Sequence, residues 1–337
     1  MMQPITIVGG GLAGLSLGIA LRRREVPVEL HEAGTYPRHR VCGEFISGVR
    51  DDVLESLGIA DILQKAKIQQ TTAWYFREHI ILEENLPENA RGISRYVLDA
   101  ALQWRFQELG GTLISPSRIP REGREGLVWC AGRIPSRGKW IGLKCHARGL
   151  ELRADLEMHL GRNGYVGLAR VDCETVNVCG LFRQDKTLSG TGILPRYLRQ
   201  GGLTNLARKL EESAVDESSH AAVAGFRLGW QQPEATKAVM LGDSSSIIPP
   251  FTGNGMSMAF ESAEMAVEPM CRYARGEKSW DDVTKAVARK MRHAFSGRQF
   301  FAGLMHPFLT LPAGQSFLAA VTRSGLLPFN LCFRALR

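Results

Sequence analysis

The stretch "PITIVGGGLAGLSLGIALRRREVPVELHEAG", residues 4–34, decides the fold of this 337-residue chain. Its apolar pattern predicts a strand over Ile5–Val8, then a glycine-rich turn and a helix, and then a second strand over Val26–His31. An acidic residue, Glu32, follows the second strand. Because a strand, a helix and a strand in this order are typical of parallel sheets, the sequence predicts an α/β fold of the Rossmann type.

The turn in this stretch has the spacing Gly-x-Gly-x-x-Gly, which is typical of dinucleotide-binding sites. The first glycine permits the tight turn, the second lets a pyrophosphate approach the backbone, and the third lets the helix pack closely on the strand. The N–H groups at the start of the helix would face the phosphates, and the acidic residue would accept a hydrogen bond from a ribose hydroxyl. The predicted contacts are Gly9, Gly11, Leu12, Ala13, Gly14 and Glu32. This motif alone does not distinguish NAD from FAD, because both contain ADP.

The composition, with 44% hydrophobic and 23% charged residues, is that of a globular protein with one large domain or two closely joined ones. No apolar run reaches the roughly 18 residues that a bilayer-spanning helix needs. The N-terminus enters the first strand without the pattern of a signal peptide, so a cytoplasmic location is expected. The seven cysteines are scattered and form no Cys-x-x-Cys pair, which argues against a disulfide framework and a zinc site.

The formal net charge is +8, but the sequence has no motif of a DNA- or RNA-binding protein, so nucleic acid is not expected as a partner. We expect the excess positive charge to attract an anionic cofactor, an acidic carrier or a membrane surface. A basic surface that serves no partner is the alternative.

A second stretch, "MLGDSSSIIPPFTGNGMSMAFESA" at residues 240–263, contains no evident acid–base catalyst and is interpreted as a binding surface. The predicted strand Ala238–Leu241 brings Asp243 to the carboxyl edge of a sheet, where a carboxylate can hold a polyol hydroxyl. A proline turn and two glycines lead into a helix predicted from Met256 to about Ala274, whose N-terminus can stabilise negative charge on a reduced flavin. The predicted contacts are Asp243, Pro250, Gly253, Asn254, Gly255 and Met256.

Together the two motifs resemble the FAD-binding pattern of the para-hydroxybenzoate hydroxylase superfamily. "PPFTGNGMSMAFESA" is most similar to the geranylgeranyl-reductase-like and halogenase-like branch. The resemblance implies FAD as the cofactor and a Rossmann-like FAD-binding domain of the GR2 type. It also implies an interleaved substrate domain with an antiparallel β-sheet and a helical C-terminal part. One difference is that Ser246 stands where the hydroxylases commonly carry a histidine.

Two further stretches resemble the same superfamily. "RHRVCGEFISGVRDDVLESLGI", residues 38–59, is similar to the loop after the second strand, which implies that Arg40 and Cys42 lie near the flavin. "GISRYVLDAALQWRFQELGG", residues 92–111, is similar to the Arg-x-x-Leu-Asp helix, which implies a cofactor contact for Arg95. The alternatives are solvated charges for the two arginines and a packed thiol for the cysteine.

The stretch "LVWCAGRIPSRGKW", residues 127–140, departs from the hydroxylases, which have an Asp-Gly motif that contacts FAD and helps to bind NADPH. A strand is expected over Leu127–Cys130, and the turn residues Ala131 and Gly132 are predicted cofactor contacts, but the aspartate is missing. The electron donor is therefore expected to be either NAD(P)H or a separate reductase.

The middle of the chain, from about residue 139 to 183, changes to short alternating strands, and a turn near Glu174 predicts a hairpin. With strands near Ala73–Phe76 and Ala222–Leu228, these strands are expected to form the substrate-facing sheet. The expected FAD-binding domain comprises residues 1–70, 90–135 and 236–280, the substrate domain residues 71–89 and 136–235, and the C-terminal helical region residues 281–337.

The sequence indicates residues that could line the substrate pocket but assigns no catalytic role to any of them. The aromatic candidates are Trp74, Tyr75, Phe76 and Trp140, and the polar ones are His146, His159, Tyr165 and Asn177. In the C-terminal region, Pro307, Pro312 and Pro328 are expected to divide the chain into short helices. These helices would cover a hydrophobic substrate, pack on the FAD-binding domain or contact a membrane.

No catalytic side chain and no set of metal ligands is predicted, so the chemistry is expected to come from the cofactor. The leading hypothesis is an FAD-dependent monooxygenase that hydroxylates an aromatic or polyketide-like hydrophobic substrate, free or carrier-bound, via a flavin C4a-hydroperoxide. The alternative is an FAD-dependent reductase or dehydrogenase acting on carbon–carbon bonds of a lipid-like substrate. A halogenase and a non-catalytic FAD-binding module are further alternatives.

Overall fold

The computed structural model describes residues 2–337 except 122, 135, 137, 191, 226 and 232–236. The strands are β1 Ile5–Val8, β2 Val28–His31, β3 Phe45–Ile46, β4 Lys67–Phe76, β5 His79–Gly92, β6 Thr112–Ile114, β7 Leu127–Trp129, β8 Trp140–Arg148, β9 Leu156–Gly161, β10 Gly164–Arg170, β11 Thr175–Arg183, β12 Ala214–Ala224, β13 Gly229–Trp230, β14 Val239–Met240 and β15 Ser246–Ile247. The helices are α1 Leu12–Arg22, α2 Asp51–Leu57, α3 Ala60–Leu63, α4 Arg95–Glu108, α5 Ile193–Gln200, α6 Thr204–Glu212, α7 Gly255–Ala274, α8 Trp280–Thr310, α9 Pro312–Arg323 and α10 Phe329–Ala335.

A five-stranded parallel sheet has the order β14-β7-β1-β2-β6. Val8 at the end of β1 lies opposite His31 of β2 and Trp129 of β7. Helix α1 is buried over ten consecutive residues, Leu12–Leu21, because it packs on both α4 and α7. The predicted Rossmann-type sheet is confirmed, and its carboxyl edge is where ligands of such folds bind.

An eight-stranded sheet has the order β12-β8-β11-β10-β9-β4-β5-β3. The predicted hairpin is confirmed as β10–β11, with Gly164 opposite Phe182 and Arg170 opposite Val176. The sheet is mixed rather than purely antiparallel, because β4 and β9 pair in parallel. These two strands are far apart in the sequence, so no tight turn forces them to be antiparallel.

Two features of this sheet differ from the sequence expectations. Strand β5 was not predicted, although it is 14 residues long. The strand expected over Ala222–Leu228 ends at Ala224 in β12, and residue 226 of that interval lies outside the described residues. The division into domains stays a prediction.

The C-terminal part breaks at two of the three prolines that were expected to divide it. Helix α8 runs for 31 residues through Pro307. The proline lies in the last turn, where its missing N–H removes only one helical hydrogen bond, and Leu311 still donates to the Pro307 carbonyl. Pro312 and Pro328 do mark helix starts, at α9 and α10. Within the described chain, no helix is long and apolar enough to cross a membrane.

Candidate functional site

The turn between β1 and α1 has the close contacts that its glycines were predicted to make. At Gly9, φ is 107° and a Cβ would lie 2.3 Å from the Cys130 carbonyl oxygen. At Gly14, a Cβ would lie 2.0 Å from the Gly9 carbonyl oxygen. At Gly11, in contrast, the nearest atom would be Arg95 Nη2 at 4.0 Å. No side chain caps α1, so the N–H groups of its first turn, at Leu12 and Ala13, remain available to a ligand.

Glu32 is buried at the end of β2 and receives four donors. Its Oε2 accepts from Gly10 N at 2.8 Å and lies 3.4 Å from Arg40 Nη2, and its Oε1 accepts from Gly34 N at 2.9 Å and from Arg38 Nη2 at 2.6 Å. Burial raises the pKa of Glu32, but the Gly34 hydrogen bond and the two arginines outweigh burial and lower it. A ribose hydroxyl would have to replace one of the arginine contacts.

Arg40 and Arg95 meet at Asp99, a fully buried residue that the sequence analysis did not single out. Arg95 donates to both Asp99 oxygens at 2.7 and 2.9 Å, and Arg40 Nε donates at 2.8 Å. Burial alone would lower the pKa of Arg95, but the Asp99 carboxylate outweighs burial and raises it. The available signal was the four-residue spacing of Arg95 and Asp99, which puts both on one face of α4.

Gly242 and Asp243 follow β14 and lie next to the first turn of α1. At Gly242, φ is 58° and a Cβ would lie 3.3 Å from Ala13 Cβ. The Asp243 side chain is open to solvent but is closely surrounded by protein. These surroundings raise the pKa of Asp243 by desolvation, and the charges of Arg95 and Arg133 oppose the rise. An accessible carboxylate in dense surroundings can accept hydrogen bonds from a ligand.

Ser244 joins the turn Ala131–Gly132 to the segment that follows β14. Its Oγ donates to the Gly132 carbonyl oxygen at 2.7 Å. At Gly132, φ is 78°, and no atom of the described residues lies within 4 Å of where a Cβ would be. The predicted turn therefore exists and lies beside the Gly242–Ser244 segment.

The N-terminus of α7 has one crowded and one open glycine. At Gly253, φ is 68° and a Cβ would lie 2.3 Å from the ring of Phe45. At Gly255, among the residues that the structure describes, no atom lies within 4 Å of such a Cβ and no side chain caps the helix. Asp243 and Gly255 line one small cavity, so the structure brings the two halves of the second motif together.

The remaining predicted residues of this loop differ in exposure. Pro250 is exposed, whereas Met256 is buried against the core. Asn254 is also buried, and its Nδ2 donates to the carbonyl of Leu336. The end of the chain therefore packs against the start of α7.

Cys42 lies where the loop after β2 meets the eight-stranded sheet. Its carbonyl oxygen accepts a hydrogen bond from Asn177 Nδ2 at 3.0 Å. Burial raises the pKa of the Cys42 thiol, although the nearby Arg95 charge opposes the rise. The residue therefore resembles a packed thiol, and its predicted flavin contact, like those of Arg40 and Arg95, stays a prediction.

A buried charged cluster behind Cys42 was missed from the sequence, apart from His146. Glu44 has φ of 54° and is completely buried. Its Oε1 accepts from Lys144 Nζ at 2.9 Å and from Arg95 N at 2.8 Å, and its Oε2 lies 2.6 Å from His146 Nε2. Lys144 Nζ is also 3.2 Å from His39 Nδ1. Burial raises the pKa of Glu44, but His146 and Lys144 outweigh burial and lower it.

Aromatic and apolar side chains cover the face of the eight-stranded sheet that turns towards α8 and α9. This aromatic cluster includes Phe76, Trp140, Tyr165 and Phe251, with Trp74 at its edge. The Tyr165 hydroxyl accepts a hydrogen bond from Phe251 N at 3.1 Å, which links the sheet to the loop before α7.

Two of the candidate residues lie on the opposite face of the sheet. Tyr75 stacks on His159 with ring centroids 4.2 Å apart, and His159 Nε2 lies 2.8 Å from Glu157. Because side chains alternate along a strand, Tyr75 cannot share the face of its neighbours Trp74 and Phe76. The prediction that Tyr75 lines the same pocket as these two residues was wrong.

His306 of α8 extends the aromatic cluster. Its ring meets Trp140 edge-on at 5.2 Å, and neither ring nitrogen has a hydrogen-bond partner among the described residues. Within the same residues, no group of three or more His, Cys, Asp or Glu side chains could hold a metal ion.

No family model and no curated protein matches the sequence. Solved structures of similar fold do match. The flavin-dependent brominase Bmp2 has a TM-score of 0.76 and 15% identity over 99% of this chain and 93% of its own. The p-nitrophenol 4-monooxygenase PnpA from Pseudomonas putida has a TM-score of 0.76 and 12% identity over 99% of this chain and 97% of its own. The chain has the fold of these flavin enzymes.

A third structure extends the likeness. The probable FAD-dependent monooxygenase PqsL from Pseudomonas aeruginosa has a TM-score of 0.71 and 13% identity over 96% of this chain and 99% of its own. The likeness covers nearly the whole length of all three chains, so it confirms the predicted fold class from the first strand to the C-terminal helices.

Proposed function

We propose that this protein binds FAD and is a flavin-dependent monooxygenase of a hydrophobic, aromatic or polyketide-like substrate. One observation carries the proposal. The uncapped N-termini of α1 and α7 lie beside the same segment, Gly242–Asp243. Two uncapped helix ends beside an accessible carboxylate fit a ligand that has phosphates at one end and a polarisable ring at the other.

The residues present fit FAD. Gly11 and Gly255 leave open space where a cofactor could approach, whereas Gly9 and Gly14 have none because the chain itself fills it. The first turn of α1 would hold the pyrophosphate, and Glu32 would hold the ribose after Arg38 or Arg40 moves aside. Asp243 would hold the ribityl chain, which relieves the cost of leaving this carboxylate in its dense surroundings.

When bound, FAD would be the group that reacts with O2. The protein would bind and orient the substrate and would exclude water. The N-terminus of α7 would stabilise negative charge on the ring. The Arg95 side chain, fixed by two hydrogen bonds to Asp99, would keep positive charge beside the cofactor. Ala131 and Gly132, which lie beside the Gly242–Ser244 segment, would also contact the cofactor.

The substrate would lie against the aromatic cluster, whose edge-on rings suit an aromatic ligand. Two solved structures of this fold support that class. One is named for p-nitrophenol, and PqsL has been crystallised with 2-aminobenzoylacetate. We propose a small aromatic or hydrophobic substrate, free or carrier-bound, and a cytoplasmic enzyme.

We also keep the proposed division into an FAD-binding domain, a substrate domain and a C-terminal helical region.

The electron donor would be NAD(P)H or a separate reductase. The absence of an aspartate at Ala131 favours the reductase. Anaerobic mixing of the FAD-loaded protein with NADH and with NADPH distinguishes the two, because direct reduction bleaches the flavin absorbance without a second protein.

The reaction type is tested by chemical reduction of the FAD-loaded protein, followed by mixing with ¹⁸O2 and a panel of phenols and aminobenzoyl compounds. Mass spectrometry should find a product with one ¹⁸O atom. Turnover that needs no oxygen would instead support the reductase alternative, and a halogenated product formed with added bromide would support a halogenase. A reduced flavin that is inert to oxygen and to every compound would support a non-catalytic module.

A further inference from the structure

The positive charge of the protein is concentrated at its C-terminal end. Residues 283–337 contain eight of the 42 Lys and Arg residues and none of the 34 Asp and Glu residues. The first 282 residues therefore contain 34 basic and 34 acidic residues, and their formal charges cancel. The entire net charge of +8 lies in the last 55 positions. Such a separation of charge along a chain indicates an interaction with an anionic partner.

Most of these cations pair with no acidic residue in the described part of the chain. Lys285 pairs with Asp281, and Arg298 pairs with the buried Glu261. The exposed cations Arg289, Lys290, Arg292, Arg323 and Arg334 make no ion pair with any residue that the structure describes. They present unneutralised positive charge on α8, α9 and α10.

The same three helices expose large apolar side chains. Phe300 and Leu304 of α8 are 75% and 53% exposed, Phe317 of α9 is 59% exposed, and Leu331 of α10 is 68% exposed. Leu326, in the turn between α9 and α10, is 74% exposed. Single exposed apolar residues are ordinary, but five within 32 positions of a basic segment are not.

These side chains form a continuous surface on α8 and α9. Phe300, Leu304 and Phe308 follow one another at intervals of four residues and so lie on one side of α8. The ring of Phe308 lies 5.8 Å from the ring of Phe317, so α9 continues the surface. We call Phe300, Leu304, Phe308 and Phe317 the apolar surface.

We propose that α8, α9 and α10 dock on an anionic lipid bilayer, with the apolar surface inserted at the headgroup level and the neighbouring arginines and lysines on lipid phosphates. Exposed apolar side chains on helices that also carry exposed cations fit a flat and deformable partner. No described helix can span a bilayer, so the contact would be peripheral. A second copy of the chain is disfavoured as the partner, because two surfaces of the same positive charge would repel one another.

The test is co-sedimentation of the full-length protein with vesicles of phosphatidylcholine alone and of phosphatidylcholine mixed with phosphatidylglycerol. The apolar variant is Phe300→Ser/Leu304→Ser/Phe317→Ser, and the charge variant is Arg323→Gln/Arg334→Gln. The matched control is Val97→Ser/Trp104→Ser, because these residues of α4 are 57% and 62% exposed. Thermal unfolding checks that each variant folds, which is expected because every altered side chain is exposed.

We expect binding to the mixed vesicles that weakens with added salt, and little binding to phosphatidylcholine alone. The apolar and charge variants should each bind at least about tenfold more weakly, and the control should bind like the wild type. Absent binding to the mixed vesicles, or undiminished binding by the apolar variant, would overturn the proposal. It would equally be overturned if the wild type were a dimer that the apolar variant converts to monomers, or if it bound an acidic carrier protein but no vesicles. None of these outcomes depends on FAD or on the reaction.

Discussion

Asp243 is the residue on which the proposed cofactor site most depends. Its carboxylate is accessible to solvent, yet the surrounding protein raises its pKa, and the charges of Arg95 and Arg133 oppose this effect. A charged group in such surroundings is stabilised when a ligand supplies hydrogen-bond donors. The hydroxyls of a ribityl chain would supply them.

We predict that Asp243→Ala binds FAD about 10- to 100-fold more weakly than the wild type while keeping its thermal stability without cofactor. The reason is the loss of hydrogen bonds from FAD to a charged acceptor, with no loss of packing. Quenching of FAD fluorescence measures the affinity. Glu174→Ala, at the exposed turn between β10 and β11, is the control and should bind FAD normally. Undiminished binding by Asp243→Ala would show that this residue does not hold the cofactor.

His306 is expected to make the free energy of unfolding depend on pH. Burial lowers its pKa from 6.5 to about 4, so the folded protein keeps this ring neutral over an interval in which the unfolded chain is protonated. The unfolded state binds more protons there, so the contribution of His306 to the free energy of unfolding is lost as the pH falls from 6.5 to about 4.

We therefore expect His306→Phe to lose less stability than the wild type over this interval, by roughly 1 kcal/mol per pH unit. Urea unfolding at several pH values measures the difference. His293→Phe, which alters an exposed histidine of the same helix, is the control and should follow the wild type. Parallel curves for His306→Phe and the wild type would contradict the prediction.

At the residue scale, the sequence predicted the close contacts of Gly9 and Gly14, because these depend on local backbone geometry and on motif spacing, and the contact of Asp243 with FAD stays a prediction. Glu44 was missed because its partners come from distant parts of the chain, whereas Asp99 was missed although its partner Arg95 lies only four residues before it on α4. Lys144 lies 100 positions from Glu44 and is fully buried in a strand of apolar residues, where a lysine is not expected without a partner. Only the fold shows that the partner exists.

At the element scale, the two glycines at the start of α7 are expected to have different roles. Gly253 is expected to affect the stability of the fold, and Gly255 the binding of FAD. Gly253→Ala places a side chain at φ of 68° and against Phe45, so we expect a loss of about 1–3 kcal/mol in the free energy of unfolding. Gly255→Ala meets no atom within 4 Å and should leave the stability without cofactor unchanged or slightly higher, but it should weaken FAD binding. Urea unfolding and FAD titration of both variants test this pair. Equal stability losses would contradict it.

Elements with strong local patterns were predicted, and those that depend on tertiary pairing were not. Strand β5 was missed because "HIILEENLPENARG" contains glutamates, asparagines and a proline, which disfavour strands. The structure tolerates Pro87 because the pairing with β4 is interrupted between Asn85 and Ala90, where no N–H is needed. Likewise, α8 continues through Pro307 because the helix ends one turn later and packs on α9.

At the scale of the whole molecule, a fold shared with flavin enzymes at 12–15% identity covers nearly the entire chain. Such a likeness shows the architecture, and the chemistry depends on the site. The proposed FAD site consists of the two helix ends, the open glycines and the carboxylates described above. The reaction was harder to predict from the sequence than the fold. Among the described residues of the aromatic cluster, no side chain indicates a particular substrate.

Titration of FAD with the cofactor-free wild-type protein, followed by fluorescence quenching and by thermal unfolding, tests the central claim most directly. The account predicts one FAD per chain with a Kd at or below about 1 μM. It also predicts an unfolding temperature that rises with FAD concentration, because a ligand that binds only the folded state stabilises it. A folded protein that shows neither quenching nor a shift in unfolding temperature would contradict the account.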